Sequence, residues 1–128
     1  MNKTLLMIED NPDNVKLLTW TLEDEGYEVV TAATAEEGLK ELEKREFALI
    51  LMDISLPGMD GKQATRIIRA DPKYRDLPII AVTAHAIQGE SEKILACGVT
   101  ELVTKPIDTV KIVGVIAKHL RGEAVDHG

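Results

Sequence analysis

The chain has 128 residues, of which 45% are hydrophobic and 29% are charged, and its formal net charge is −7. This length and composition indicate one globular domain with a packed core, and they exclude a disordered or fibrous chain. The negative charge opposes direct binding to nucleic acid or to an anionic membrane surface, because both would repel the protein.

The chain carries one cysteine, Cys97, so it cannot form an internal disulfide and suits a reducing compartment. Because Cys97 stands directly before Gly98, where a helix is predicted to end, we predict a small core residue. No apolar stretch is long enough for a signal peptide or a membrane span. We therefore expect a cytoplasmic protein that does not insert into membranes.

Short apolar runs alternate with segments of helical period along the whole chain. The apolar runs predict five strands, at residues 5–8, 28–32, 48–52, 78–82 and 101–104. Four polar residues have the position of helix N-caps, namely Asn11, Thr34, Asp60 and Asp108. Pro12 follows the first of these caps, and Glu37 has capping-box spacing from Thr34. The intervening segments therefore predict five helices.

The helix ends are also marked in the sequence. The first helix is predicted to end before Gly26, the third near Arg69, the fourth near Cys97 and the fifth near Leu120. The third helix is followed by a polar segment, residues 71–77, that we predict to be an exposed link.

Five strands that alternate with five helices predict a doubly wound α/β fold, with a mainly parallel sheet and helices on both faces. We assign residues 3–120 to this single domain. Residues 121–128 have no apolar period, so we expect a disordered tail.

Candidate site residues follow four of the predicted strands: the polar residues Glu9, Asp10, Asp53, Thr83 and Lys105, and the small residue Ala84. In an open α/β sheet, ligands bind beyond the carboxyl ends of the strands, so these residues are expected to meet. Taken singly, each charged or hydroxyl residue is more often a helix cap, a strand residue or a solvated charge. Their convergence on one rim is what indicates a functional site.

Clustered carboxylates need a cation, because two of them about 4 Å apart repel by roughly 4 kcal/mol at an effective dielectric near 20. Mg²⁺ fits an open site of this kind, since it binds one or two carboxylates and keeps several waters. A carboxylate beside Mg²⁺ and a lysine can attack a phosphoryl group, and Asp53 is the central candidate. The Lys105 ammonium and the Thr83 hydroxyl can then hold phosphoryl oxygens.

The sequence resembles the receiver domains of bacterial response regulators from residue 3 to about residue 120. Four motifs carry this resemblance: the acidic pair Glu9-Asp10, the segment Met52 to Gly61 around Asp53, the pair Thr83-Ala84, and Lys105-Pro106. The family implies a flavodoxin-like sheet of order 2-1-3-4-5 and a cis Lys105-Pro106 peptide bond. It also implies a phosphorylation site on Asp53.

The resemblance further implies the ligands of a Mg²⁺ or Mn²⁺ ion. Asp10, Asp53 and the backbone carbonyl of Ser55 would bind the metal directly, and Glu9 would act largely through a metal-bound water. In the family, side chains at the positions of Ser55 and His85 flank the phosphoryl group. The small Ala84 would leave room for the phosphoryl donor.

The partners implied by the resemblance are proteins. A histidine kinase or a histidine phosphotransfer protein would supply the phosphoryl group. Trp20 on the first helix is either a contact with this donor or an indole packed at the edge of the core. A downstream protein would bind the face formed by the fourth helix, the fifth strand and the fifth helix. Leu102 stands where the family usually has an aromatic residue that relays the switch, so this relay is expected to be weaker or differently built.

We therefore predict a stand-alone receiver domain that catalyses only its own phosphorylation and dephosphorylation. A receiver fragment of a larger regulator or hybrid kinase is an alternative. A Mg²⁺-dependent phosphatase with an aspartyl nucleophile is less favoured, because Ser55 occupies the place of the second aspartate in its Asp-x-Asp signature. A flavin carrier is disfavoured because the segment after the first strand is acidic rather than rich in Ser, Thr or Gly.

Overall fold

A computed structural model gives the fold of the chain and describes residues 3–84 and 89–120. Strands and helices alternate as predicted: β1 (Thr4–Ile8), α1 (Pro12–Asp24), β2 (Glu28–Ala32), α2 (Ala35–Lys44), β3 (Leu49–Asp53), α3 (Gly61–Ala70), β4 (Ile79–Thr83), α4 (Glu90–Ala96), β5 (Glu101–Thr104) and α5 (Thr109–Leu120). His85 and the predicted tail at residues 121–128 lie outside the described residues.

The five strands form one parallel sheet in the order β2-β1-β3-β4-β5. The three central strands, β1, β3 and β4, are buried along their whole length. Alternate residues of these strands face two apolar layers, one under α2, α3 and α4 and the other under α1 and α5. The predicted doubly wound fold and its strand order are therefore confirmed.

The predicted caps of the first three helices form as the sequence indicates. The Asn11 side chain accepts hydrogen bonds from the backbone of residues 13 and 14, and Asp60 forms a capping box with Gln63. The Thr34 hydroxyl accepts from the Glu37 backbone, while the Glu37 carboxylate accepts from the backbone N–H of Ala33. These bonds fix the residue at which each of the three helices begins.

The segment that follows α3, residues 71–77, is mostly exposed as predicted, but one turn of it is helical. Pro72–Tyr74 forms a short 3-10 helix, because the Asp71 side chain accepts a hydrogen bond from the next turn and Pro72 stands at its first position. The Tyr74 hydroxyl donates to the Leu42 carbonyl at 3.2 Å, so this segment packs partly against α2.

The described residues also show where Cys97 lies and how long and apolar the helices are. Cys97 is buried, and its thiol donates to the Ile94 carbonyl at 2.9 Å, as expected of a core residue. Within residues 3–84 and 89–120, no helix combines the length and the apolar character that crossing a membrane requires.

Candidate functional site

Three carboxylates meet at the carboxyl edge of the sheet. Glu9 and Asp10 follow β1, and Asp53 ends the neighbouring strand β3. One oxygen of each carboxylate lies within 4.8 Å of an oxygen of the other two. Glu9 and Asp53 are each only 3% exposed, whereas Asp10 is exposed. The cluster therefore has a buried floor and one side that is open to solvent.

Lys105 extends from the end of β5 to the two buried carboxylates. Its Nζ atom lies 3.5 Å from Asp53 Oδ2 and 3.6 Å from Glu9 Oε1. The Lys105 backbone N–H donates to the Thr83 carbonyl at 2.7 Å, which holds the start of this loop against β4. The Lys105-Pro106 peptide bond is cis, as the family resemblance implied. A single ammonium thus contacts two carboxylates.

Backbone donors hold the other oxygen of each buried carboxylate. Glu9 Oε2 accepts from the Asn11 N–H, and Asp53 Oδ1 accepts from the Ser55 N–H, both at 3.1 Å. Each carboxylate is therefore fixed between one amide and the Lys105 ammonium. No sequence pattern marks these two amide donors, because any residue except proline supplies one.

The electrostatics of the cluster favour an additional cation. Burial raises the pKa of Glu9 above its usual value, and the nearby Asp53 carboxylate raises it further. The Asn11 amide and the Lys105 ammonium oppose this shift without cancelling it. Burial and the neighbouring carboxylate both disfavour the charged form of Glu9, and a bound cation would favour it.

The donor set fits a hard divalent cation such as Mg²⁺. All three side chains offer carboxylate oxygens, which are the ligands that this ion prefers. The exposed Asp10 keeps the cluster accessible, and Mg²⁺ sites usually retain several waters. Glu9, Asp10 and Asp53 are therefore suited to hold the ion that the sequence predicted.

The other predicted site residues lie around this cluster. Thr83 ends β4, which pairs with β3, and it is fully buried. Ala84 and Ser55 are exposed, next to Thr83 and two residues after Asp53 respectively. The structure therefore places every predicted site residue that it describes at one edge of the sheet.

Gly61 is a site residue that the sequence analysis missed. Its N–H donates to the Ile54 carbonyl at 3.1 Å, and a Cβ atom on Gly61 would lie 2.6 Å from the Asp53 carbonyl oxygen. Only glycine lets the start of α3 approach the Asp53 backbone this closely. The sequence feature that could have identified Gly61 is its position directly after the Asp60 helix cap.

Two residues farther from the cluster bear on the sequence predictions. Leu102 is partly buried and packs against the apolar layer under α2, α3 and α4. Trp20 is 75% exposed on α1, so its indole is available for contact with another molecule.

Residues 5–117 match the family model described as the response regulator receiver domain. Among curated proteins, the signal transduction histidine-protein kinase BarA of Shigella flexneri is 35% identical over 122 residues, which span 95% of this chain but only 13% of the kinase. The polar-differentiation response regulator DivK of Brucella ovis is also 35% identical, and the match spans 94% of this chain and 98% of that protein.

A solved structure extends the similarity to the fold. The receiver domain of a sensor histidine kinase from Pseudomonas aeruginosa superposes with a TM-score of 0.87 and 34% identity, over 94% of this chain and 99% of that one. That domain was crystallised with a magnesium ion coordinated in its active-site cleft.

Proposed function

This chain belongs to the response regulator receiver domain family of two-component signalling, and from that premise we propose that Asp53 accepts a phosphoryl group from a phosphohistidine. The observation that carries the proposal is the position of the Asp53 carboxylate. It lies buried at the end of β3, held by the Ser55 amide and Lys105, beside two further carboxylates. This arrangement orients a carboxylate nucleophile and leaves one side of the cluster open.

The proposed step is the attack of an Asp53 carboxylate oxygen on the phosphorus atom. The new O–P bond forms as the P–N bond to the donor histidine breaks, and the electron pair of that bond stays on the imidazole. Lys105 lies close enough to Asp53 to pass from the carboxylate to a phosphoryl oxygen as charge develops there. We assign a second phosphoryl oxygen to the Thr83 hydroxyl.

Asp10, Asp53 and the Ser55 carbonyl would hold Mg²⁺, and Glu9 would act through water. Mn²⁺ is an alternative, because it prefers the same oxygen ligands. When bound, the ion would neutralise charge on the phosphoryl oxygens. We propose that Ala84 leaves space for the donor and that the side chains of Ser55 and His85 influence loss of the phosphoryl group.

We also infer that the chain acts only on its own Asp53 and is not an enzyme for another substrate. Ser55 supports this, because an aspartate at its position would be needed as the general acid of the rival phosphatase. A cytoplasmic location is part of the same proposal and is compatible with the free thiol of Cys97.

The proposed partners are a histidine kinase or histidine phosphotransfer protein and a downstream protein. The exposed Trp20 on α1 supports docking of the donor, because exposed aromatic side chains are common anchors at protein interfaces. We assign the downstream partner to the face formed by α4, β5 and α5. Both a stand-alone regulator and a receiver within a hybrid kinase agree with the relatives found.

Phosphotransfer from purified histidine kinases of the source organism tests this function. With Mg²⁺, at least one kinase is expected to label the native protein rapidly and to leave Asp53→Asn unlabelled. The Trp20→Ala variant should be labelled more slowly by that kinase but at the native rate by acetyl phosphate. Equal labelling of the native protein and Asp53→Asn would overturn the assignment of Asp53.

A further inference from the structure

An ion pair joins the two chain segments that follow β3 and β4. Lys62, the second residue of α3, places its Nζ atom 3.4 Å from Oε1 of Glu90, the first residue of α4. The two side chains are 23% and 33% exposed, so the contact is partly shielded from water. One end of this bridge follows Asp53 in the chain, and the other follows Thr83.

The Lys62 end of the bridge is fixed to the backbone of Asp53. The preceding residue, Gly61, donates its N–H to the Ile54 carbonyl, and a Cβ atom on Gly61 would lie 2.6 Å from the Asp53 carbonyl oxygen. The buried Thr65 hydroxyl donates to the Gly61 carbonyl at 2.8 Å. The first turn of α3 and the end of β3 therefore form one block.

Glu90 begins α4, a short helix whose N-terminus has no side-chain cap. Helix α4 has seven residues, and its N-cap, Gly89, makes no side-chain capping bond. A glycine cap gives the first turn less support than Ser, Asp or Asn would. The bridge to Lys62 therefore ties down a helix start that lacks a capping side chain.

Phosphorylation of Asp53 would add a charge of about −1.5 to −2 at the end of β3, to which the Lys62 end of the bridge is fixed through Gly61. The added charge attracts the Lys62 ammonium and repels the Glu90 carboxylate, so both effects weaken the pair. Resting on the function proposed above, we propose that Lys62 and Glu90 form a strap that holds α4 against the block carrying Asp53 and loosens on phosphorylation. This strap couples the position of α4 to phosphorylation of Asp53 without involving Leu102.

Thermodynamic linkage determines whether loss of the ion pair favours or disfavours the phosphorylated state. If phosphorylation loosens the strap, then removing the strap must favour the phosphorylated state by the same factor. Because partly exposed ion pairs contribute little to stability, we expect the affinity for a phosphoryl analogue to change by about threefold.

The test uses the double variant Lys62→Met with Glu90→Gln, because it removes the pair without changing the net charge near Asp53. The matched control is Glu41→Gln with Lys44→Met, which removes an ion pair of 3.6 Å within α2. Two quantities are measured for the native protein and both double variants. The first is the affinity for beryllofluoride, a phosphoryl analogue, in the presence of Mg²⁺. The second is the rate of hydrogen exchange of the α4 amides in the absence of beryllofluoride.

The strap predicts about threefold tighter beryllofluoride binding and faster α4 exchange in the Lys62/Glu90 double variant, with native values in the control. Unchanged α4 exchange would overturn the strap itself. Faster exchange with unchanged or weaker beryllofluoride binding would overturn its role in switching. Failure of the native protein to bind beryllofluoride would instead overturn the phospho-acceptor proposal, and the switching role with it.

Discussion

Lys105 offsets part of the negative charge of the candidate site, because its ammonium contacts both buried carboxylates, at 3.5 Å from Asp53 and 3.6 Å from Glu9. The same position allows it to stabilise the phosphoryl group during transfer. Two roles therefore depend on one side chain, and they can be separated by measuring metal binding and phosphorylation in the same variant.

Lys105→Met is expected to slow phosphorylation of Asp53 by acetyl phosphate by about 10²-fold, the usual effect of removing one preorganised charged donor. Mg²⁺ binding should persist and become tighter, because the ammonium that competes for Glu9 and Asp53 is gone. Phosphorylation rates and calorimetric Mg²⁺ titrations check both effects. Lys118→Met, at an exposed ion pair elsewhere, serves as control, and a native phosphorylation rate in Lys105→Met would contradict the role assigned to Lys105.

Glu101 carries the clearest pH dependence outside the site. Burial raises the pKa of Glu101, but hydrogen bonds and positive charge from His119 and Lys118 outweigh burial and hold its pKa below the usual value. The contacts are 2.7 Å to His119 Nε2 and 3.1 Å to Lys118 Nζ. They fasten the end of α5 to the start of β5.

A carboxyl whose pKa is lowered by folding stabilises the protein above its unfolded pKa, near 4.3, and loses this contribution as the pH falls through the folded pKa. Glu101→Gln should therefore lower the free energy of unfolding by about 0.5–1 kcal/mol at pH 7. The difference from the native protein should shrink below pH 4. Urea unfolding across this pH range, with the exposed Glu43→Gln as control, would contradict the account if the difference grew on acidification.

At the scale of elements, the start of α3 is the segment that positions Asp53 most directly. Gly61 permits this approach because the nearest atom to its missing Cβ is a backbone oxygen, which cannot rotate away. By contrast, Gly114 on α5 has open space around its missing Cβ. Gly61 and Gly114 therefore have opposite expected responses to substitution by alanine.

Gly61→Ala should destabilise the fold by about 1–3 kcal/mol, since the added methyl group forces α3 away from Asp53. Gly114→Ala should instead stabilise it by up to about 1 kcal/mol, because alanine favours a helix interior. Chemical denaturation of both variants measures these changes. Equal effects of the two substitutions would show that the close approach of Gly61 to Asp53 has no energetic consequence.

The helices and strands were largely predictable because their signals are local. Asn11, Thr34 and Asp60 mark helix starts by side-chain bonds that reach only two or three residues. The 3-10 helix at Pro72–Tyr74 was missed, because it is a single turn without apolar period. The partial burial of Tyr74 depends on its hydroxyl reaching α2, a contact distant in sequence.

At the scale of the whole molecule, the site was predictable because a parallel sheet brings the ends of β1, β3, β4 and β5 to one edge. The sequence therefore predicted which side chains would meet. It did not predict the Asn11 and Ser55 amides or the Lys62–Glu90 bridge, because these depend on loop paths and helix positions that no short motif encodes.

Mg²⁺ should stabilise the whole fold if the carboxylate cluster binds it, because a ligand that binds only the folded state shifts the unfolding equilibrium. At a concentration 100 times the Kd, the gain is about 2.7 kcal/mol. Thermal unfolding with and without Mg²⁺ measures it, at constant ionic strength because salt alone screens the net charge of −7. Asp10→Asn should lose most of the gain, and an equal gain in that variant would place the ion elsewhere.

Direct identification of the phosphorylated residue tests the central claim. After reaction with acetyl phosphate and Mg²⁺, borohydride reduction converts an aspartyl phosphate to homoserine, which peptide mass spectrometry locates in the chain. We predict homoserine at position 53 and nowhere else, and none when Mg²⁺ is chelated or in Asp53→Asn. Homoserine at Asp10 or at another acidic residue, with Asp53 intact, would contradict the account.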